Sequence, residues 1–120
     1  MIKQYRDLIV WQKSMQLVID IYRFSNGLPK EEQYGLISQI RRSSVSIPSN
    51  IAEGYGRNAT HDYIRFLKIA RGSLYELQTQ IEICLNLEYL SKASFNEIDE
   101  KCREIERMLT SLIHKIASGP

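Results

Sequence analysis

The side chains best suited to chemistry crowd into one stretch, Gln39-Ile40-Arg41-Arg42-Ser43-Ser44-Val45-Ser46-Ile47-Pro48-Ser49-Asn50-Ile51-Ala52-Glu53-Gly54-Tyr55-Gly56-Arg57. Hydroxyls, an amide and a carboxylate this close together could furnish a polar active site. The same residues also suit close helix packing. A proline inside a helix removes one donor and presses its ring against the carbonyl four residues back, here Ser44, at a cost of about 3 kcal/mol unless the helix bends or another group takes up the acceptor. Buried polar groups need partners, and small hydroxyls fit beside Ala70 and Ser73 of a neighbouring helix. Ser44, Pro48, Asn50 and Glu53 are therefore read as a kink with polar packing, Asn50 and Glu53 serving backbone groups freed near the proline.

Little else supports catalysis. The Glu-x-x-His signature of di-iron bundles is missing, because His61 and His114 follow Asn58 and Ser111 at that spacing. Cys84 and Cys102 have no histidine at nucleophile or zinc spacing. Both occupy apolar helical positions, so reduced, buried thiols are expected. Gly54-Tyr55-Gly56 lacks the strand, helix and lysine of a phosphate loop. The expectation is a protein that is not an enzyme and uses neither metal nor cofactor.

Anion binding is the remaining chemistry. Net charge is +2, but residues 1–71 hold 11 Lys/Arg against 6 Asp/Glu, and residues 72–120 hold 5 against 8. An anion-binding surface should thus draw on the first half. The candidates are Arg41, Arg42 and Arg57 on or after the second helical segment, with Arg65, Lys68 and Arg71 on the third. Arg65 and Lys68 project from one side, and Arg71 points about 90° away. Phosphate contacts need clustered cations and weaken steeply with salt. The competing reading pairs Arg41 and Arg42 with acids such as Glu53 or Glu76 and leaves Arg65 and Lys68 as a solvated face.

Heptad-like spacing places these residues on four helices, over 7–24, 33–54, 60–88 and 94–117. The first follows Leu8, Trp11, Met15, Val18 and Tyr22, and the second follows Tyr34, Ile37, Ile40, Ser44, Ile47 and Ile51. The second should end at Gly54-Tyr55-Gly56 in a left-handed cap. The third begins near Thr60 and runs through Tyr63, Leu67, Ala70, Leu74, Leu77, Ile81 and Cys84. Ser94 and Glu97 form a capping box for the fourth, whose seam is Phe95, Ile98, Cys102, Ile105, Leu109, Leu112 and Ile116. Ser118-Gly119-Pro120 reads as a frayed tail. No period-2 run or hairpin signal appears, so 1–120 is one all-α domain, an antiparallel up-down-up-down four-helix bundle.

Two faces exceed what one core needs. The first helix carries a second stripe of Val10, Leu17, Ile21 and Phe24, and the third presents Ile69, Gly72, Tyr75 and Ile83 outward. A glycine in mid-helix costs about 1 kcal/mol relative to alanine, so Gly72 signals close approach by another backbone. Contiguous exposed apolar surface marks an interface, hence self-association, unless a loop folds across it. No segment has the length and apolarity of a bilayer span, and the first residues lack a signal-peptide core, so a cytoplasmic protein without membrane contact is expected.

Particular residues carry a resemblance: Asp7-Leu8, Val10-Trp11-Gln12-Lys13, Tyr34-Gly35-Leu36, Gln39-Ile40-Arg41-Arg42, Ser46-Ile47, Asn50-Ile51-Ala52-Glu53-Gly54, and Phe66-Leu67 with Ile69-Ala70 and Gly72-Ser73 before Glu76-Leu77. In these the chain resembles the bacterial four-helix bundle family encoded in intervening sequences of 23S ribosomal RNA genes. It is also similar to the accessory protein of diversity-generating retroelements, whose basic pentamer associates with nucleic acid and a reverse transcriptase. The resemblance implies a ring-like homopentamer without known catalytic activity and, by its relative, RNA or DNA on its surface; the alternative is a scaffold whose outer faces on the first and third helices dock a protein partner, with no nucleic-acid role.

Overall fold

The computed structural model describes residues 1–119; Pro120, the end of the expected frayed tail, lies outside the described residues. Four helices, α1 (Ile9–Ser25), α2 (Leu36–Tyr55), α3 (Thr60–Asn86) and α4 (Lys92–Ala117), are accompanied by single 3-10 turns at Tyr5–Asp7 and Lys30–Glu32. There is no strand among the described residues. Each helix packs on the next, and α4 closes back on α1, in a body of 48 × 25 × 20 Å. Pairings run in opposite directions along every neighbouring pair: Ser43 with Gln80 and Ser46 with Ser73 join α2 to α3. Gln78 with Asp99 and Arg71 with Thr110 join α3 to α4. Short connections make this antiparallel order the natural one.

α2 and α3 share the most extensive contact. Small residues make it possible: Ser43, Ser44 and Gly54 of α2 and Ala70 and Ser73 of α3 are all buried, with Gly54 against Phe66 and Ser73 bonded to Ser46 at 2.8 Å. Around them Ile40, Ile47 and Ile51 pack with Leu67, Leu74, Leu77 and Ile81. Full burial of such a side chain contributes roughly 1.5–3 kcal/mol, against about 1 kcal/mol or less for an exposed ion pair. The half-exposed pairs Lys13–Glu104 (3.2 Å) and Lys101–Asp20 (2.8 Å) therefore align α1 with α4 more than they hold them.

The first helix is oriented differently from its apolar spacing. Val10, Ser14, Leu17, Ile21 and Ser25 face the core, whereas Met15 and Tyr22 are exposed and Trp11 and Val18 half-buried. Val10, Leu17 and Ile21, expected at an oligomer interface, are at most 4% exposed within their own chain, and Phe24 is half-buried against the same core. The serines conceal this face in the sequence. Ser14 Oγ donates to the Val10 carbonyl at 2.7 Å and Ser25 Oγ to that of Tyr22 at 3.1 Å, so both hydroxyls are buried at little cost.

Helix ends also depart from expectation. The segment before α2 is a 3-10 turn, leaving Tyr34 exposed. α4 starts a turn earlier, with Ser91 Oγ accepting from the Ser94 amide at 3.1 Å, so Ser94 and Glu97 are inside the helix rather than capping it. α3 begins at Thr60, as its spacing predicts. In the last turn of α4, Ile113 is buried where Leu112 and Ile116 were expected. α2 runs unbroken through Pro48, which is itself buried.

Gly56 is right-handed, with φ of −74°, so no left-handed glycine cap closes α2. Gly54 has a different job. A Cβ there would stand 2.6 Å from Phe66 Cβ and 3.2 Å from Tyr63 Cδ1. The left-handed cap occurs instead after α3, at Glu88 (φ 65°). Tyr89 N–H reaches the Cys84 carbonyl at 2.8 Å and Glu88 N–H that of Leu85 at 3.0 Å, the paired bonds of a Schellman motif without its usual glycine.

Burial pushes the Cys84 thiol up to about 11, with Glu32 adding to the shift, and the Cys102 thiol up to about 12, with Asp99 adding. Both are thus thiols rather than thiolates near neutrality, and neither is an activated nucleophile.

Gly54→Ala should destabilise the fold by about 2 kcal/mol in chemical denaturation, the order of an overpacked contact between backbones. Glu88→Gly should stabilise it by about 1 kcal/mol by removing left-handed strain from an L-residue. Unfolded thiols ionise from the ordinary value of 9.0, before the folded ones. Stability should accordingly hold below about pH 9 and fall as pH rises toward 12, and Ellman's reagent should label both cysteines only on unfolding.

Candidate functional site

The six cations proposed from sequence do not form one patch. Arg41 joins α2 to the end of α1: Nε donates to Ser25 Oγ at 2.8 Å, Nη2 to Asn26 Oδ1 at 2.9 Å, and the guanidinium lies 4.6 Å from the Tyr22 ring centroid. Arg71 joins α3 to α4 through Thr110 Oγ1 at 3.0 Å, and Thr110 in turn donates to Glu106 at 2.8 Å. These two are half-buried clamps. Arg42 and Lys68 are exposed and have neither a hydrogen bond nor an ion pair among the described residues. The acid partners expected for Arg41 and Arg42 are thus absent.

Arg57 and Arg65 are brought together by a residue outside the expected set. Their guanidiniums lie 4.9 and 4.7 Å from the centroid of Phe66, which the α2–α3 approach holds nearly buried. Arg57 also pairs with Glu53 at 2.8 Å and Arg65 with Asp62 at 3.9 Å. Cation–π contact with a desolvated ring positions both arginines at the α2–α3 turn without neutralising them. Arg65 and Lys68 line a shallow depression with His61, Ile64 and Ile69. Arg65 is next to Phe66 in sequence, but Arg57 lies nine residues before it in the α2–α3 connection, so no spacing rule signals the cluster. Beneath them, burial pushes the Tyr63 hydroxyl up to about 12, with nearby Tyr55 adding to the effect.

The hydroxyl-rich stretch is a packing seam. Ser43 donates to Gln80 at 2.9 Å, the Ser46 and Ser73 hydroxyls meet at 2.8 Å, and Asn50 Nδ2 reaches the Ser46 carbonyl at 2.8 Å and its Oγ at 2.9 Å. Ser44 Oγ donates to the Arg41 carbonyl at 2.9 Å. Glu53 is exposed and held by Arg57, so it does not serve the backbone near Pro48. No histidine approaches these hydroxyls by hydrogen bond, and no three His, Cys, Asp or Glu side chains converge among the described residues.

Two apolar surfaces lie bare. A groove between α1 and α2 is formed by Trp11, Met15, Val18, Val45, Pro48 and Ala52, with Tyr5 edge-on to Trp11 at its end. On α3, Ile69, Tyr75 and Ile83 are 41–48% exposed in line with Gly72. Nothing lies within 4 Å of a Cβ built on Gly72, so the close approach its mid-helix position suggests does not occur among the described residues. One wall of the groove, Trp11, Met15 and Val18, consists of residues that sequence spacing had assigned to the core of the first helix.

Comparison with curated proteins gives no match. The crystal structure of a protein with unknown function from the S23 ribosomal protein family of Bacteroides thetaiotaomicron VPI-5482 is similar to 88% of this chain and 96% of its own, with 28% identity and a TM-score of 0.83. The sequence model of the 23S rRNA-intervening sequence proteins matches residues 6–111, spanning α1 to α3 and most of α4. With that match and a four-helix bundle in common with the Bacteroides protein, the chain belongs to the 23S rRNA-intervening sequence protein family.

Proposed function

We propose that this is a non-enzymatic accessory protein that assembles with copies of itself and offers the assembly's surface to a partner. One observation carries the reading: a small bundle with a complete core of its own leaves two further apolar surfaces, the α1–α2 groove and the α3 stripe, open to water. Such patches mark interfaces. The resemblance to ring-forming relatives makes five copies the expected number, and the cytoplasm is the compartment expected from the sequence.

Nucleic acid, RNA or DNA, is the partner that the exposed cations favour. Arg57, Arg65 and Lys68 share the α2–α3 end, and a ring repeats that group once per copy. Binding of this kind reads the phosphate backbone and not sequence. A scaffold for another polypeptide is the second reading, favoured by the internal use of Arg41 and Arg71.

Light scattering at micromolar concentration should give a mass several times that of one chain; a stable monomer would sink the assembly reading. Structured RNA and duplex DNA should bind at about 50 mM salt and be largely released at about 200 mM. Arg57→Glu combined with Lys68→Glu should weaken binding about tenfold or more and flatten the salt dependence, with helical circular dichroism unchanged. No binding even at low salt would favour the polypeptide scaffold.

A further inference from the structure

Charge is sorted along the bundle and not only along the sequence. The Ser46–Ser73 bond lies near the middle of α2 and α3, and the antiparallel order sets residues 1–16, 47–72 and 106–119 on one side of that level and residues 17–46 and 73–105 on the other. The first group holds 9 Lys/Arg against 4 Asp/Glu and the second 7 against 10, so the net +2 divides into +5 at one end and −3 at the other. Packing makes this division. Arg41 and Arg42, from the basic part of the sequence, go to the acidic end, and Lys115, from the acidic part, goes to the basic one.

The basic end gathers three stretches far apart in the chain. The turn at Tyr5–Asp7 packs on α2, with Tyr5 and Trp11 beside Ala52, and the Arg71–Thr110 bond lays the last turns of α4 beside the first turns of α3. Lys3, Arg6 and Lys115 thereby join Arg57, Arg65 and Lys68, all six exposed. Of the six, only Arg57 and Arg65 have acidic partners among the described residues, in exposed pairs of a kind worth little and easily exchanged.

The aromatic rings of this half are all engaged. Tyr5 and Trp11 meet edge to face at 5.3 Å, Tyr55 and Tyr63 at 5.9 Å, and Phe66 is buried beneath the Arg57 and Arg65 guanidiniums. The exposed rings of Tyr22, Tyr34 and Tyr75 belong to the acidic half. A single strand is held largely by stacking its bases on open rings, which the basic end does not offer. A double helix needs only cations, and its one negative charge per about 1.7 Å of axis is twice the density of either strand along the same axis.

We infer that this chain docks end-on against the phosphate backbone of a nucleic-acid double helix, through the end formed by the N-terminal turn, the α2–α3 connection and the last turns of α4, and prefers it to a single strand. The inference rests on the nucleic-acid reading proposed above and names the surface and the form of the partner. The acidic end is repelled by the same phosphates, so the bound bundle stands with its 48 Å axis pointing away from them.

The test measures fluorescence anisotropy of labelled duplex DNA, duplex RNA and unstructured single strands of equal length with the full chain at about 50 mM salt. The better-bound duplex should exceed the single strands in affinity about tenfold or more. Arg6→Glu combined with Lys115→Glu should weaken duplex binding about tenfold or more and lower the salt slope by about two phosphate contacts. Lys30→Glu combined with Lys92→Glu makes the same change in net charge at the acidic end, several screening lengths away, and should leave affinity within about threefold of the original. Equal helical circular dichroism establishes that all are folded. Single strands bound as tightly as duplex, a basic-end variant that binds like the original, or two double variants weakened alike would each overturn end-on docking while leaving nucleic-acid binding standing. An original chain that binds none of these probes would overturn both.

Discussion

The close approach of α2 to α3 is the constraint on which the other features depend. Gly54 has no room for a side chain against Phe66, and Ser43, Ser46 and Ser73 meet their partners across the same seam at hydrogen-bond distance. Larger residues would separate the helices, and apolar ones of the same size would leave fewer of the bonds that set their register. Because the seam is tight, Phe66 is pinned near the α2–α3 turn and presents its ring to Arg57 and Arg65. Packing of the core and placement of the cations are therefore one event.

The same economy governs the charges. Arg41 and Arg71 bridge neighbouring helices through hydroxyl and amide oxygens, which neutral partners can do without the desolvation cost of a buried ion pair. Arg42, Lys68 and the pair on Phe66 stay in water. In such a small bundle, a cation that is not used for joining helices has nowhere to go but the surface, and its position along the helix then decides what it can meet.

Much of the fold is legible from residue spacing. The inner faces of α2, α3 and α4 follow periodic apolar residues, because on those helices every core position but the small ones is an aliphatic or aromatic side chain. α1 is not legible in that way. Its buried line includes Ser14 and Ser25, and its outer line includes Trp11, Met15 and Tyr22, so counting apolar residues selects the wrong face. A serine that bonds its own helix carries no polar signature in the core, and a Met or Tyr half in solvent carries no polar signature outside it. The interface candidates Val10, Leu17 and Ile21 fall with that misassignment, whereas the α3 stripe, read from a helix with an unambiguous core, is found exposed.

By itself the sequence determined the class of fold, the number of helices, their approximate limits and the family, because those depend on local periodicity and on residues recognisable one at a time. Only the tertiary structure decided which side of α1 faces inward, which arginines are clamps and which are free, and why Gly54 is a glycine. Each of these depends on a neighbour distant in the chain: Phe66 for Gly54, Ser25 and Asn26 for Arg41, Thr110 for Arg71. Sequence spacing encodes direction around a single helix, and it takes the packed bundle to say what stands in that direction.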